Sequence, residues 1–404
     1  MRSGSTAQRT TARNLTGAAA DGTLGGGVAD SPARPVRVMP LGDSITAGMN
    51  STGAAGYRDE LLDHLHRLGH DIDFVGPYVN VWQPRGDPYY AAVPGISIQE
   101  LTGLLPRWLP SARPDWLLVH IGTNNMYGSE HTDAPGFLRT FLETLLRLAP
   151  SAGILLASII PSRLPEWQAH IDAYNRHVHE IAEEFGRRGK VFFVDMAPAL
   201  RASPQGGDDL SDLVHPNDQG YATMAAVWRD ALHARLPAPD GGPILNHNPH
   251  LRTPWLSEAA QQAPGDAPAF FPGWRNRGVH ACPGRLAGLG NGSNAVGLVD
   301  TPGFLGISTR LATTPGRPVR VTFRARADTF AASGSRGEPA DPARTFGVQA
   351  DGHPRATVTA TDDWRTWTYD FTPTTAETDL RFTPAARPGR GPLLTDVLAR
   401  EAAP

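Results

Sequence analysis

The sequence contains a single cysteine, Cys282, and a single lysine, Lys190. One cysteine excludes an intrachain disulfide and any zinc site built from several cysteines of this chain. No apolar run approaches the roughly 18 residues that a membrane-spanning helix needs. An excess of charge is also lacking, since 37 basic and 40 acidic residues leave a formal net charge of −3. That balance argues against bulk nucleic-acid binding and against a polybasic membrane surface.

Residues 35–236 alternate short apolar runs with longer segments of helical period. This alternation is typical of stacked βα units around a mostly parallel sheet. The predicted strands are rich in Val, Ile, Leu and Phe and cover Val36–Leu41, Ile72–Gly76, Trp116–Ile121, Ile154–Ile160 and Val191–Asp195. The predicted helices carry apolar residues three or four positions apart, around Leu61–Leu68, Ile98–Trp108, Phe137–Leu148 and Tyr221–Leu232.

The segments that flank this region have a different composition. Residues 1–34 are rich in Gly, Ala, Ser and Thr and lack the continuous apolar core of a secretory signal. We predict that they are disordered and that the protein, as the sequence stands, is cytoplasmic; a different true N-terminus would make it secreted. Residues 237–243 consist of Pro, Gly, Ala and Asp and are predicted to form a linker.

Residues 244–404 show no long helical pattern and are predicted to form an all-β sandwich. Short β-prone runs recur here between Pro, Gly and Asp turns, which is typical of such a fold. They are Ala295–Val299, Leu305–Ser308, Val319–Arg324, Thr345–Gln349, Thr357–Ala360, Thr366–Phe371, Thr378–Phe382 and Leu394–Leu398.

A serine follows the first predicted strand of the α/β region, in Leu41-Gly-Asp-Ser-Ile-Thr-Ala-Gly48. Open α/β sheets bind their ligands outside the carboxyl ends of the strands, which is where Ser44 is expected. Gly42 permits a tight turn, and a following helix would direct backbone N–H groups to the same place. Taken alone, the motif is equally compatible with an ordinary helix cap.

A histidine and an aspartate three residues apart lie in Asp212-Leu-Val-His215-Pro-Asn. A serine nucleophile needs a base within hydrogen-bond reach and a group that orients the base. His215 is a candidate for the base and Asp212 for the orienting group. The alternative is a solvated histidine on a surface loop, since the chain has 14 histidines.

Two further segments offer hydrogen-bond donors to the oxygen of an attacked carbonyl. The strand ending at His120 continues into Ile-Gly-Thr-Asn124-Asn125, so an asparagine amide lies just past a strand end. Such a donor contributes about 10²–10³ in rate. The backbone N–H of Gly95, in Val93-Pro-Gly-Ile96, is a second candidate. Each segment alone is also compatible with an ordinary turn.

Together the four segments resemble the SGNH (GDSL-type) serine hydrolase family over roughly Val36 to Leu236. The resemblance implies a flavodoxin-like three-layer α/β/α sandwich and no cofactor. It assigns Ser44 as nucleophile, His215 as general base and Asp212 as its partner. It assigns the oxyanion hole to the Ser44 N–H, the Gly95 N–H and the Asn124 side chain.

Within that family the sequence looks most like the carbohydrate-esterase branch, which includes acetylxylan-esterase-like proteins. Two departures concern the substrate rather than the catalytic set: Ala91–Pro94 replaces a polar stretch that often contains histidine, and residue 125 is Asn where Asp is frequent. Apolar side chains would make the pocket mouth less polar than a sugar favours. The candidate pocket residues are Asp43, Val93, Ile96, Asn125 and Met126.

The β-rich region resembles jelly-roll modules of the galactose-binding or carbohydrate-binding type, on segments around Phe271–Trp274, Leu311–Phe323 and Gly391–Val397. Exposed aromatic side chains stack on sugars in such modules, so Trp274, Trp364 and Trp367 are candidates for sugar binding. The alternative is that Trp274 and Trp367 belong to the core. Asp396 is a candidate for a structural Ca²⁺ ligand, although the sequence identifies no second ligand.

The predicted function is that of a serine esterase that removes a short acyl group, acetyl by resemblance, from a carbohydrate or a glycosylated small molecule. One alternative is an acyltransferase or tailoring enzyme of small-molecule biosynthesis with the same site. The other is a carbohydrate-binding protein whose hydrolase domain is inert. The expected partner is the ester substrate, with no nucleic acid and no membrane span; the sequence leaves the oligomeric state open.

Overall fold

The computed structural model describes residues 23–28, 34–80, 86–251, 274–277, 279–282, 289, 295–298, 306–327, 344–384 and 392–402. The first strand, β1, covers Thr23–Val28. The α/β region follows, with strands β2 Val36–Gly42, β3 Ile72–Phe74, β4 Tyr78–Val79, β5 Tyr89–Ala92, β6 Trp116–His120, β7 Gly153–Ala157 and β8 Val191–Val194. Its helices are α1 Ser44–Ala47, α2 Arg58–Arg67, α3 Ile98–Ala112, α4 Ala134–Leu148, α5 Pro165–Gly186 and α6 Asp218–His233.

The α/β sheet is parallel except at one edge. β2 pairs with β3, β5 and β6, and the sheet continues through β7 to β8, while β4 is antiparallel to β5. If β4 and β5 are set aside, the strand order is that of flavodoxin-like folds. The predicted fold class of this region is therefore confirmed.

Helices cover both faces of the sheet. Successive strand residues point to opposite faces, so Leu117 and Val119 pack on one side with α3, α4 and α5, while Leu118 packs on the other with α2 and α6. Helices shield both faces of the sheet from water, which explains why these strands are continuous apolar runs in the sequence. Three layers result, and the loops at the carboxyl ends of the strands stay accessible.

Three elements of this region were not among the sequence predictions. Strands β4 and β5 are two and four residues long and contain no extended apolar run. Helix α5 is the longest helix among the residues described and buries one face, with Ile171, Val178 and Ile181 in the core. Its apolar spacing is helical, so the sequence does carry the signal for it.

The described part of the C-terminal region contains two antiparallel sheets, whose apolar side chains form a large shared core. Its strands are β9 Trp274–Arg277, β10 Val279–Cys282, β11 Ala295–Leu298, β12 Gly306–Ala312, β13 Val319–Arg326, β14 Thr345–Ala350, β15 Ala356–Thr359, β16 Arg365–Phe371, β17 Glu377–Pro384 and β18 Leu393–Glu401. One sheet has the order β1-β16-β13-β18-β11-β10 and the other β15-β14-β17-β12-β9. The predicted all-β sandwich is confirmed; its jelly-roll topology stays a prediction.

Two predicted segments differ from the structure. Residues 1–34 were predicted to be disordered, but β1 pairs antiparallel with β16, so the prediction is wrong for Thr23–Val28. An edge strand can take its partner from a distant segment even where its own sequence is rich in glycine. Residues 1–22 and 29–33 lie outside the described part, as do Phe271–Gly273, Val299, Leu305 and Gly391.

The second half of the predicted linker, residues 237–243, is hydrogen-bonded to strand β18. The Gly242 N–H donates to the Glu401 carbonyl, and the Glu401 N–H donates to the Pro243 carbonyl. Next to it the Arg400 guanidinium donates to the Gly69 carbonyl, at the end of α2. The α/β region and the β sandwich therefore touch along β18. Across the ranges described, no helix is both long and apolar enough to cross a bilayer.

Candidate active site

The strand register brings three of the candidate segments to one edge of the sheet. Gly42, the last residue of β2, pairs with Ala92 of β5 on one side and with His120 of β6 on the other. Ser44 follows Gly42 by two residues, Gly95 follows Ala92 by three and Asn124 follows His120 by four. Because parallel strands end at the same edge, all three leave the sheet side by side.

Ser44 is held by the turn into α1. A Cβ at Gly42 would lie 2.2 Å from the His120 carbonyl, so only glycine fits between these strands. Asp43 caps α1, and its carboxylate accepts a 3.0 Å hydrogen bond from the Ile45 N–H. Burial raises the pKa of Asp43 to about 6, although the Ile45 bond and the charge of His215 act against this rise. Asp43 thus stabilises the turn into α1 that holds Ser44.

Ser44, His215 and Asp212 form a continuous chain of hydrogen bonds. Ser44 Oγ lies 2.9 Å from His215 Nε2, and His215 Nδ1 lies 2.8 Å from Asp212 Oδ2. If Nδ1–H donates to the carboxylate, Nε2 is left to accept the serine hydrogen. This is the arrangement that general-base activation of a hydroxyl requires.

Asp212 is held in place by its own loop. Its Oδ1 accepts hydrogen bonds from the N–H groups of Val214 (2.9 Å) and His215 (2.8 Å). Desolvation opposes ionisation, but these two bonds and the His215 imidazole lower the pKa of Asp212 below its usual value. The carboxylate is therefore charged at neutral pH and can stabilise an imidazolium.

The candidate oxyanion donors lie beside Ser44. The Pro94-Gly95 turn is closed by the Ile96 N–H, which donates to the Val93 carbonyl, and Gly95 has a φ of 79°. A type II turn needs this conformation after proline, which favours glycine. One N–H of the Asn124 amide donates to the Ile96 carbonyl at 2.9 Å, which fixes the amide and leaves its second N–H for a ligand.

Asn50 belongs to the site but was not among the sequence predictions. Its Nδ2 donates to Asp212 Oδ2 at 2.8 Å, the same oxygen that faces His215, and lies 3.1 Å from Ser211 Oγ. Its φ is 64°, a conformation that Asn tolerates better than most residues. The contact spans 162 residues, so no local pattern reveals it.

We expect Asn50→Ala to lower kcat/KM about 10-fold, because the charged Asp212 carboxylate loses a hydrogen bond of a kind worth about 1.5–3 kcal/mol. Water can partly replace the amide, since the Asp212 side chain is 43% exposed. Asn50→Gly is the matched control because it also removes the amide but tolerates the positive φ. Full activity of Asn50→Gly in steady-state kinetics would show that the hydrogen bond is dispensable.

The predicted pocket residues divide into two groups. Asp43, Asn125 and Met126 are buried, and Met126 belongs to the core, so their prediction as pocket residues is wrong. Asn125 points inward, where its Oδ1 accepts from the Ile98 N–H and its Nδ2 donates to Gln99. The reason is the 3-10 helix Thr123–Tyr127, which turns positions 125 and 126 towards the core.

Ile96 and Val93 lie closer to the surface than those three residues. Ile96 is mostly buried and Val93 is half-buried, and both pack against the core beneath the Pro94-Gly95 turn. They support that turn, and Val93 is the one of the five whose side chain is partly accessible.

The tryptophan candidates of the β sandwich are engaged in packing. Trp274 is buried with its ring 6.4 Å from that of Phe382, so its prediction as a sugar-binding residue is wrong. Trp367 packs half-buried against the same core. Trp364 is half-buried, and the Arg324 and Arg326 guanidinium groups lie 5.4 and 5.5 Å from its ring centre. Sugar binding by Trp364 or Trp367 stays a prediction.

Asp396, the candidate Ca²⁺ ligand, faces positively charged groups. Its Oδ1 lies 3.0 Å from His250 Nδ1 and its Oδ2 lies 3.1 Å from Arg324 Nη1. A calcium site needs six to eight oxygen ligands, whereas both oxygens of this carboxylate meet nitrogen donors. These contacts account for a buried aspartate here.

A parallel α/β sheet whose edge carries Ser44, His215 and Asp212 in hydrogen-bond contact has the architecture of a serine hydrolase. The sequence profile of the GDSL-like Lipase/Acylhydrolase family matches residues 41–223, and this part of the chain is a domain of that family. The resemblance inferred from the sequence motifs is thereby confirmed.

The domain is similar to several known proteins, and three of them show the degree of similarity. The multidomain esterase of Ruminococcus flavefaciens is 29% identical over 238 residues, which are 52% of this chain and 30% of that protein. The thioesterase 1/protease 1/lysophospholipase L1 of Escherichia coli is 23% identical over 212 residues, 52% of this chain and 86% of that protein. The structure of the Clostridium thermocellum family 3 carbohydrate esterase shares 26% identity, covers 50% of this chain and 98% of that chain, and has a TM-score of 0.43.

Proposed function

We propose that this protein is a serine esterase that removes a short acyl group, acetyl in the first instance, from a carbohydrate or a glycosylated small molecule. The observation that carries the proposal is the hydrogen-bonded chain of Ser44, His215 and Asp212, with distances of 2.9 and 2.8 Å. The likeness of the motifs around Ser44 and His215 to carbohydrate esterases supports the choice of a sugar acetate.

The reaction proceeds in two halves. Ser44 Oγ attacks the ester carbonyl while His215 Nε2 takes its proton, and the oxyanion is held by the Ser44 N–H, the Gly95 N–H and the Asn124 amide. The C–O bond to the alcohol then breaks, and the alcohol leaves with the proton from His215. Water, deprotonated by His215, attacks the acyl-enzyme and releases the acid, and the proton returns to Ser44.

A fluorophosphonate probe tests the proposal directly. We expect it to label Ser44 stoichiometrically and to block hydrolysis of p-nitrophenyl acetate in step with labelling, because phosphonylation of Oγ removes the nucleophile. A Ser44→Ala chain is the control for probe bound elsewhere. Labelling of the wild type at another residue, or none at all, would contradict the proposal and favour an inert hydrolase domain.

The same assay distinguishes substrates and acceptors. Esters of increasing acyl length, compared with acetylated sugars, are expected to show highest kcat/KM for acetyl. An added acceptor alcohol should not divert acetyl from water; diversion would identify an acyltransferase that uses the same acyl-enzyme.

A further inference from the structure

Some of the exposed apolar side chains lie close in sequence to catalytic residues. Within the ranges described, five large apolar side chains are exposed: Met49 44%, Leu68 38%, Tyr78 39%, Tyr127 38% and Leu213 43%. Three of them follow or precede a catalytic group closely, since Met49 comes five residues after Ser44, Tyr127 three after Asn124 and Leu213 two before His215. Exposed apolar side chains beside catalytic groups are candidates for contact with the substrate, because ligand sites are lined mainly by apolar and aromatic side chains.

The fold turns Tyr127 towards the site. In a 3-10 helix residues three apart share a face, so Tyr127 stands on the same side as Asn124. Desolvation raises the pKa of the Tyr127 phenol, and the negative charges of Asp43 and Asp212 raise it further. Its ring centre lies 4.3 Å from that of Trp167, at a tilt of 41°.

Residues 162–170, which lead into α5 and form its first turn, connect Tyr127 and Trp167 to the loop that carries His215. On one side His170 Nδ1 donates to the Met126 carbonyl at 3.0 Å. On the other side the Leu213 carbonyl accepts from the Arg163 N–H at 3.0 Å and from Ser162 Oγ at 3.1 Å. Tyr127 and Trp167 are thereby tied through residues 162–170 to Leu213 in the His215 loop, and we call these three residues the apolar wall.

His215 is the group that protonates the leaving alcohol, and Leu213 of the apolar wall is two residues from His215 in the same loop. The guanidinium of Arg163, beside the wall, already contacts the Asp208 carboxylate and the Leu210 carbonyl. The wall therefore presents aromatic ring faces and a leucine side chain to a ligand, which suits a flat ring with apolar faces.

We propose that the apolar wall binds an apolar ring carried by the alcohol part of the ester, so that the preferred substrates are acyl esters of ring-bearing alcohols such as glycosides with an aromatic aglycone. This inference rests on the proposed esterase function and narrows its substrate class. Stacking and contact with Leu213 act on the alcohol and leave the choice of acyl group to the pocket around Ser44.

The test compares monoacetylated phenyl β-xylopyranoside with monoacetylated methyl β-xylopyranoside. We expect the wild type to show about 10-fold higher kcat/KM for the phenyl glycoside. Tyr127→Ala and Leu213→Ala should each shrink that preference about 3- to 10-fold, since an aromatic pair or a few buried methylenes contribute on that scale. The ratio of the two substrates is the readout, because a general structural defect would lower both rates alike.

Two equally exposed residues serve as matched controls. Tyr78 packs against the rings of Tyr90 and Trp108, and Leu68 ends α2, so Tyr78→Ala and Leu68→Ala should keep the wild-type preference. An unchanged preference in Tyr127→Ala and Leu213→Ala, or an equal loss on both glycosides, would overturn the inference while Ser44-dependent hydrolysis upholds the esterase. Absence of Ser44-dependent hydrolysis of both glycosides and of p-nitrophenyl acetate would overturn the proposed function itself.

Discussion

Ser44→Ala is expected to lower kcat/KM for p-nitrophenyl acetate about 10⁴- to 10⁶-fold, the scale seen when a serine hydrolase loses its nucleophile. The variant lacks the only hydroxyl in contact with His215 Nε2 among the residues described, so no acyl-enzyme can form at this site. The fold should persist, since Asp43 still caps α1 through the Ile45 N–H. Steady-state kinetics with a circular dichroism check would measure both.

The companion variants make this expectation specific. His215→Ala should cost a similar factor, and the double variant little more, because the two residues act as one unit. Ser151→Ala is the matched control: Ser151 is an exposed serine just before β7, at the edge of the sheet opposite Ser44. Unchanged turnover in Ser44→Ala, or independent losses that multiply in the double variant, would contradict the assigned roles.

The apolar strands of the α/β sheet and the order of the catalytic segments could be predicted because each signal is local. Buried parallel strands such as β6 and β7 appear as apolar runs. Ser44 and Asn124 lie two and four residues past the ends of β2 and β6. The principle that parallel strands end at one edge then brings Ser44 and Asn124 together without knowledge of the full structure.

Other parts of the site depend on contacts between distant segments or on local turns. Asn50 reaches Asp212 across 162 residues. The 3-10 helix Thr123–Tyr127 decides that Asn124 and Tyr127 face outward while Met126 enters the core, and a list of residues after a strand end does not contain that information. Strand β1 shows the same limit for the fold, since its partner β16 lies more than 300 residues away in the sequence.

His250→Ala is expected to lower the free energy of unfolding by about 3–5 kcal/mol, the usual cost of removing one partner from a buried ion pair. His250 is 7% exposed and joins the two parts of the protein: Nε2 lies 2.8 Å from Asp71 before β3, and Nδ1 lies 3.0 Å from Asp396 in β18. Without the imidazole, two nearly buried carboxylates lose their common cation. Urea unfolding followed by fluorescence would measure the loss.

A neighbouring histidine provides the control for that measurement. His247 is half exposed and lies 3.4 Å from Asp63, so His247→Ala should change the free energy of unfolding by less than about 1 kcal/mol. Similar losses in the two variants would show that the His250 contacts contribute no more than a surface ion pair.

The contribution of His250 should also depend on pH in a definite direction. Burial acts to lower its pKa, but the charges and hydrogen bonds of Asp71 and Asp396 raise the pKa of His250 well above its usual value. The folded protein therefore holds the proton more tightly than the unfolded chain, in which a histidine has a pKa of about 6.5. The stabilisation is complete below that pH and declines as the pH rises through the folded pKa. The difference between wild type and His250→Ala should thus be larger at pH 6 than at pH 10, and a difference that grows with pH would show that His250 is neutral in the folded protein.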